Sequence, residues 1–322
     1  MSCCIFWWRT LFAMVAFSLA LSATAADFPS KQIQIIVPYA AGGSTDQLAR
    51  AIQEPMSEVL GQTVVIVNKP GAAGTIGVSH VARAEPDGYT LVFGNTGPNA
   101  IVQLTREVPY DPLVDLQPIS TVAIAPMILA VAADSSIKTL DDFVAYAKEK
   151  GDVLNFGSTG NGGISHLSGE YFNQLAGTKM VHIPYNGGAP MLPAFAEGQI
   201  DAAFLTGLDG TNMLSSGLIR YLAVGTAKPS AVVPGVPPIS DTVPGFKSVA
   251  WFGLLAPKGT PKSVVSKLNA AVVSSVANPD VQKLFTRRSV EPHSSTPDEL
   301  ASLIKDEIAQ WGQVVKGANT KF

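Results

Sequence analysis

The sequence predicts an α/β fold made of two similar units, and three observations predict it. Short β-branched runs alternate with amphipathic stretches, which is the pattern of parallel strands joined by crossover helices. The leading runs end in glycine-rich loops that open into helices. This strand–loop–helix unit occurs in both halves of the chain, with no long repeat.

The elements follow in order. Ile33-Gln34-Ile35-Ile36-Val37 reads as a buried strand. Small residues and the capping candidates Ser44 and Thr45 come next. A helix then begins near Asp46, with apolar residues at 48, 49 and 52, and Pro55 predicts a kink or an early end. Residues 63–68 form a second strand, a turn at 70–74 and a short helix to about Ala84 follow, and residues 90–93 form a third strand. Parallel pairing puts the loops after these strands on one sheet edge, where open α/β sheets bind ligands. Residues 121–132 are apolar but contain Pro126, which fits a crossover between units better than a central strand.

Thr139, with Asp142 as capping-box partner, opens a helix to Lys150. Residues 154–166 repeat the opening theme, and their helix runs over 167–176. Residues 180–183, 201–204 and 221–224 are further strands. Pro229, Pro234, Pro237, Pro238 and Pro244 mark a return connection. Residues 251–255 resume a strand, and Thr260-Pro261 and Thr296-Pro297 both read as N-cap followed by first-turn proline. The C-terminal segment therefore completes the first unit. One lobe is expected over 26–124 plus 246–322 and the other over 125–245, with two crossings.

With 322 residues, 47% hydrophobic and 15% charged, the chain can bury a large core. Segment 1–25 carries one charge, Arg9, an apolar run at 11–21 and the small-x-small site Ala23-Thr24-Ala25. It reads as a cleaved secretory signal, too short to span a bilayer. Both cysteines, Cys3 and Cys4, precede that run, so the mature chain is expected to lack disulfides, thiol chemistry and a lipid anchor. Net charge is −3 and becomes −4 without Arg9. No basic cluster points to nucleic acid, and no later apolar run is long enough to cross a membrane.

A strand that ends in glycine ahead of a helix leaves several N–H groups aimed at one place, at the positive end of the helix dipole. That suits an anion. The same glycines also serve an ordinary tight turn. Gly42, Gly43, Ser44, Thr45, Asn95, Thr96, Ser158, Thr159, Asn161 and Ser165 supply uncharged donors. Asp46, the only carboxylate in the two principal loops, reads as a dipole complement in preference to a contact for a ligand amine. His166 reads as a donor to ligand or loop or, in slight preference, as a capping or packing histidine. Tyr39 and the run Tyr185-Asn186-Gly187-Gly188-Ala189-Pro190 offer cleft walls or plain core and turn. No Gly-x-Ser-x-Gly elbow or Walker loop is present, and His80, His166, His182 and His293 lack metal-site spacing. Neither a metal nor a cofactor is expected. A cleft rich in donors and poor in acids, bases and nucleophiles binds rather than reacts.

Val37-Pro38-Tyr39-Ala40-Ala41-Gly42-Gly43-Ser44-Thr45-Asp46, Asn68-Lys69-Pro70-Gly71-Ala72-Ala73-Gly74 and Pro86-Asp87-Gly88-Tyr89-Thr90-Leu91 occur in that order. Asn155-Phe156-Gly157-Ser158, Val181-His182-Ile183-Pro184-Tyr185 and Trp251-Phe252-Gly253-Leu254-Leu255-Ala256-Pro257 follow. This series resembles the periplasmic substrate-binding proteins of tripartite tricarboxylate transporters, the Bug family, over about residues 28–318. The resemblance implies a type II periplasmic-binding-protein fold: α/β, two lobes and a ligand cleft between them. It implies a carboxylate held by the loops at 39–46 and 158–166, partly through ordered water, and handed to membrane permease subunits by a periplasmic monomer that is not an enzyme. The ligand-binding set it implies is Tyr39, Ala41, Gly42, Gly43, Ser44, Asn95, Thr96, Ser158, Thr159, Asn161, Ser165, His166, Tyr185, Gly187, Ala189 and Leu205. Two positions depart from the family pattern: Asn186 stands where lysine is frequent, and Leu205 where aspartate is common. Leu205 cannot pair with an amine, so an organic acid with a neutral or apolar body is expected in preference to an amino acid. A sensory receptor and an exported carboxylate-processing enzyme are the competing readings.

Overall fold

The computed structural model describes residues 28–185 and 191–318; the signal segment and the candidates Gly187 and Ala189 lie outside the described residues. Strand β1 (Ile33–Val37) pairs in parallel with β2 (Val64–Asn68) and β3 (Thr90–Asn95). The strands β4 (Leu116–Ala132), β5 (Asn155–Ser158), β6 (Val181–Pro184), β7 (Ala202–Thr206), β8 (Ile219–Val224), β9 (Val249–Pro257) and β10 (Glu291–Pro292) follow. The order is β2-β1-β3-β9-β4-β7-β5-β6, with β8 and β10 also on β4. β5 is parallel to β6 and β7, whereas every pairing of β4 is antiparallel.

β4 departs from expectation. Its 17 residues form one strand that belongs to both parts of the sheet. Pro126 sits at the joint: it stands opposite Val249, the first residue of β9, and the next residue, Met127, stands opposite Thr206 of β7. A residue without an N–H is tolerated where one ladder hands over to the next. There Met127 N–H donates to Ser248 O, Ser248 N–H to Gly225 O and Gly225 N–H to Met127 O, at 3.1, 2.8 and 2.6 Å. A Cβ on Gly225 would lie 2.3 Å from Ser248 O, so only glycine admits this approach.

Residues on both faces of β1 are covered, which is why it is apolar at every position but Gln34. Ile33, Ile35 and Val37 enter a cluster with Leu48, Ile52, Met56, Leu268 and Val272. Ile36 enters another with Val78, Trp251, Leu255, Leu300 and Ile304. The helices are α1 (Ser44–Leu60), α2 (Thr75–Ala82), α3 (Val102–Thr105), α4 (Leu140–Lys150), α5 (Ile164–Ala176), α6 (Met191–Ala196), α7 (Gly207–Ser215), α8 (Lys262–Ala277), α9 (Pro279–Arg287) and α10 (Pro297–Gly317).

Four helix termini test the expectations. α1 runs through Pro55 to Leu60: Ile52 and Met56 stay fully buried, and Ser57 Oγ bonds Gln53 O at 2.8 Å in the same turn. Thr139 and Thr296 both form reciprocal capping boxes, with Asp142 and Glu299. Thr260 does not cap α8; its hydroxyl turns back to Pro257 O, and Pro261 takes the N-cap position. α10 then bridges the two parts of the molecule. Leu300 and Ile304 pack with Trp251, and Trp311 and Val314 pack with Leu167 of α5. No described helix is long and apolar enough to cross a membrane.

Candidate functional site

Parallel pairing fixes where the site can be. β1, β2 and β3 end together at Val37, Asn68 and Asn95. β5 and β7 end together at Ser158 and Thr206. From these edges α1, α5 and α7 depart. The two edges meet: Ser44 Oγ, at the start of α1, donates to Asp209 Oδ1 in the first turn of α7 at 3.2 Å. Thr105 Oγ1 and Arg106 Nη2 lie 3.3 and 3.7 Å from where a Cβ of Gly162 would stand.

α1 and α5 begin in the same way. Each has an extended glycine as N-cap, Gly43 at φ −71°, ψ 168° and Gly163 at φ −88°, ψ 172°, and neither is capped by a side chain. The first intrahelical bonds are Gln47 N–H to Gly43 O and Leu167 N–H to Gly163 O, both at 3.0 Å. The N–H groups of Ser44, Thr45, Ile164 and Ser165 come before them. Gly42 (φ +83°) and Gly162 (φ +70°) supply the left-handed turns that bring the chain round to these starts.

Most of the candidate side chains hold this frame in place. Asn95 accepts from Tyr39 Oη (3.2 Å) and Gly97 N–H (3.1 Å) and donates to Thr45 Oγ1 (3.2 Å), so it ties its own loop to both ends of the loop at 39–46. Burial pushes the Tyr39 hydroxyl up to about 12, against the opposing bond to Asn95. Thr96 is buried and accepts Trp251 N–H. Ser165 is buried; its hydroxyl donates to Phe204 O and accepts Thr159 N–H. Ser158 is buried, its hydroxyl 2.6 Å from His182 Nε2. Thr96, Ser158 and Ser165 are thus placed as positioning groups and not as the open donors that their residue type predicts. Ala41, Gly42, Gly43 and Asn161 are exposed, and Ser44, Thr159 and Tyr185 are half-buried. Leu205 is a correction. It stands opposite Ile128 on β4 and is fully buried in the cluster with Ile128, Ala203 and Met213, because both faces of β7 are covered by core. It does not face the cleft, so the bias against amines read from it has no footing.

Asp46 is buried. Desolvation pushes its carboxyl up, but bonds from Arg50, Gly42 N–H and Asn68 outweigh this and hold it below the usual range. The bonds from Arg50 Nε and Gly42 N–H are 2.8 Å and that from Asn68 Nδ2 is 2.9 Å. Asp46 is therefore the clamp of its own loop. Thr206 and Asp209 escaped the sequence reading, although Thr206-Gly207-Leu208-Asp209 is a strand-end capping signature of the kind recognised at Thr139.

His166 is fully buried behind the second loop. Its ring stacks on His182 at 3.5 Å and 9°, and Nδ1 accepts Gly162 N–H at 3.1 Å. That bond assigns the His166 proton to Nε2, which faces Glu170 Oε1 at 3.6 Å. Burial, with His166 beside it, lowers His182 to about 3. An unfolded histidine takes up its proton near 6.5. Between about pH 6.5 and 3 the unfolded chain thus binds a proton that the folded chain refuses, and stability falls as pH falls through that window. Denaturation of His182→Gln between pH 6.5 and 5 is expected to show a stability slope shallower by up to one proton. Equal slopes in parent and variant would contradict a neutral, half-buried His182.

A family model described as tripartite tricarboxylate transporter family receptor matches residues 48–320. Protein BugT of Bordetella pertussis is 32% identical over 307 residues, 94% of this chain and 94% of that protein. The structure of R. palustris Rpa4515 with adipate is similar at a TM-score of 0.82 and 34% identity, covering 90% of this chain and 98% of its own. MatC from Rhodopseudomonas palustris with bound malate is similar at 0.79 and 33%, covering 89% and 100%.

Proposed function

Because the chain belongs to the tripartite tricarboxylate transporter receptor family, we propose that it captures a small carboxylate between α1 and α5 and delivers it to the permease of such a transporter. The family is one of receptors, not enzymes, and the fold is the two-lobed α/β fold of periplasmic binding proteins. The observation that carries the reading is the pair of uncapped helix starts at Ser44 and Ile164, one on each of two sheet edges that meet. N–H donors at a helix start hold an anion without a charged side chain. The adipate and malate in the two similar structures support a carboxylate as the ligand class.

On this reading the lobes divide as 26–124 plus 246–322 and 125–245. The knot of Met127, Gly225 and Ser248 is their hinge, and segment 1–25 directs export to the periplasm, where the receptor works as a soluble monomer. Each lobe supplies part of the anion's shell, so ligand favours the closed arrangement. Calorimetry of the mature protein against mono-, di- and tricarboxylates, with solution scattering of the same samples, tests the proposal. Micromolar or tighter binding by one class and a smaller radius of gyration at saturation are expected. Binding of no carboxylate would overturn the ligand class, and an unchanged radius would overturn the hinge.

A further inference from the structure

The helix-start donors define where a carboxylate sits, but not what the rest of the ligand must be. Asp209 bears on that question. It is the third residue of α7, and its carboxylate spans two lobes' worth of structure: Oδ2 accepts Thr206 Oγ1 at 2.8 Å, within its own turn, and Oδ1 accepts Ser44 Oγ at 3.2 Å, from the start of α1. The second contact joins residues 165 positions apart. First-turn capping explains Oδ2 but not Oδ1, which reaches out of its own helix to the donor group proposed for the ligand.

The charge environment makes this carboxylate unlike the other one nearby. Asp46 is neutralised by Arg50 at 2.8 Å. Asp209 has no lysine or arginine within 4 Å among the described residues, and the loops at 38–46, 94–99 and 157–166 contain neither residue type. Burial pushes the Asp209 carboxyl up, and the bonds from Thr206 and Ser44 offset this only in part. A ligand carboxylate bound at Ser44 and Thr45 would have as its neighbour a carboxyl whose Oδ1 already accepts the Ser44 hydroxyl and which has no cation beside it among the described residues. A second ligand carboxylate turned toward Oδ1 brings an acceptor to an acceptor with no cation beside either, whereas an ammonium or hydroxyl meets an oxygen whose present partner is one exchangeable serine.

We propose that Asp209 determines specificity in the cleft, and that it selects a carboxylate whose far end carries a hydrogen-bond donor, ammonium or hydroxyl, in place of the Ser44 hydroxyl. The inference rests on the carboxylate reading given above. It names Oδ1 as the acceptor for the ligand's second polar group.

The test uses matched ligands of equal chain length on the mature protein at neutral pH. One set is γ-aminobutyrate, γ-hydroxybutyrate and succinate; the other is ε-aminocaproate, ε-hydroxycaproate and adipate. In at least one set, the parent protein is expected to bind a donor-terminated acid tenfold or more tightly than the dicarboxylate. Asp209→Asn keeps a first-turn acceptor but loses the charge, and is expected to shrink that ratio below threefold, mainly by tighter dicarboxylate binding. Asp209→Ser, a residue suited to a first turn, repeats the test should the asparagine variant fold poorly, and melting curves check both. A parent that prefers the dicarboxylate in both sets, or a ratio unmoved in a folded variant, overturns the role of Asp209 and leaves the carboxylate reading standing. Binding of none of the six to the parent overturns both.

Discussion

A chain carrying proline at both Ser44 and Ile164 is expected to keep its fold and to bind its carboxylate about a thousandfold more weakly. These are the first residues of α1 and α5, the one helical position where proline is favoured, because the N–H it lacks has no intrahelical partner there. The residue before a proline must be extended, and Gly43 (ψ 168°) and Gly163 (ψ 172°) already are. Each substitution thus removes one donor while leaving the helix. A charge-assisted bond contributes about 1.5–3 kcal/mol, which is roughly 10–100-fold per site. Ile164→Pro also gives up packing against the cluster of Leu167 and Trp311, at a cost of about 1 kcal/mol of stability. Ser44→Ala, which removes a hydroxyl and no N–H, is the control. Calorimetry against the parent's own ligand, with melting curves alongside, measures both quantities. Full-strength binding by a folded double variant would show that the helix starts are not the anion site.

Proline at these positions is a sharper probe than substitution of the glycines, and the reason shows what the sequence could and could not reveal. The glycine-rich loops ahead of α1 and α5 are legible, but the helices begin at Ser44 and Ile164, before the expected Asp46 and Leu167, because Gly43 and Gly163 take the N-cap positions. The parallel edges were equally legible, since alternating β-branched runs and helices leave little topological choice. What the sequence hid was the direction of side chains. Ser158, Ser165 and Thr96 look like open donors, yet each is bonded inward, to His182, Phe204 O and Trp251 N–H. Those partners lie 24, 39 and 155 residues away, beyond the reach of any local pattern. Leu205 differs for a simpler reason: β7 is buried on both faces along its whole length, so alternation leaves no open position on it. Pro126 does not break the strand, because a proline at the hand-over between two ladders interrupts neither.

The second large effect is expected from a single methyl group. Gly169→Ala should destabilise the protein by about 1–3 kcal/mol and weaken ligand binding, although alanine is the better helix former. Gly169 lies mid-helix in α5, and its Cβ would stand 2.1, 2.3 and 2.6 Å from three atoms of the Phe156 ring. The ring cannot swing aside: it is fully buried, with Phe204 at 6.2 Å and 89° and His182 at 5.2 Å. Relief must come from moving α5 off β5 or from pushing the ring onto His182. Either movement disturbs the Ser158–His182 bond and the Gly162–His166 bond that shape the second loop. Stability and affinity should therefore fall together, although the substituted atom touches no ligand. Gly312→Ala is the matched control: it is also mid-helix, in α10, but its Cβ would meet only Leu104 Cδ2, at 3.8 Å. There alanine should add about 0.5–1 kcal/mol and leave binding unchanged. Urea unfolding and calorimetry on both variants separate packing from propensity. If Gly169→Ala unfolds at a higher urea concentration than the parent, as Gly312→Ala should, then the contact between Phe156 and α5 does not hold the second loop in place.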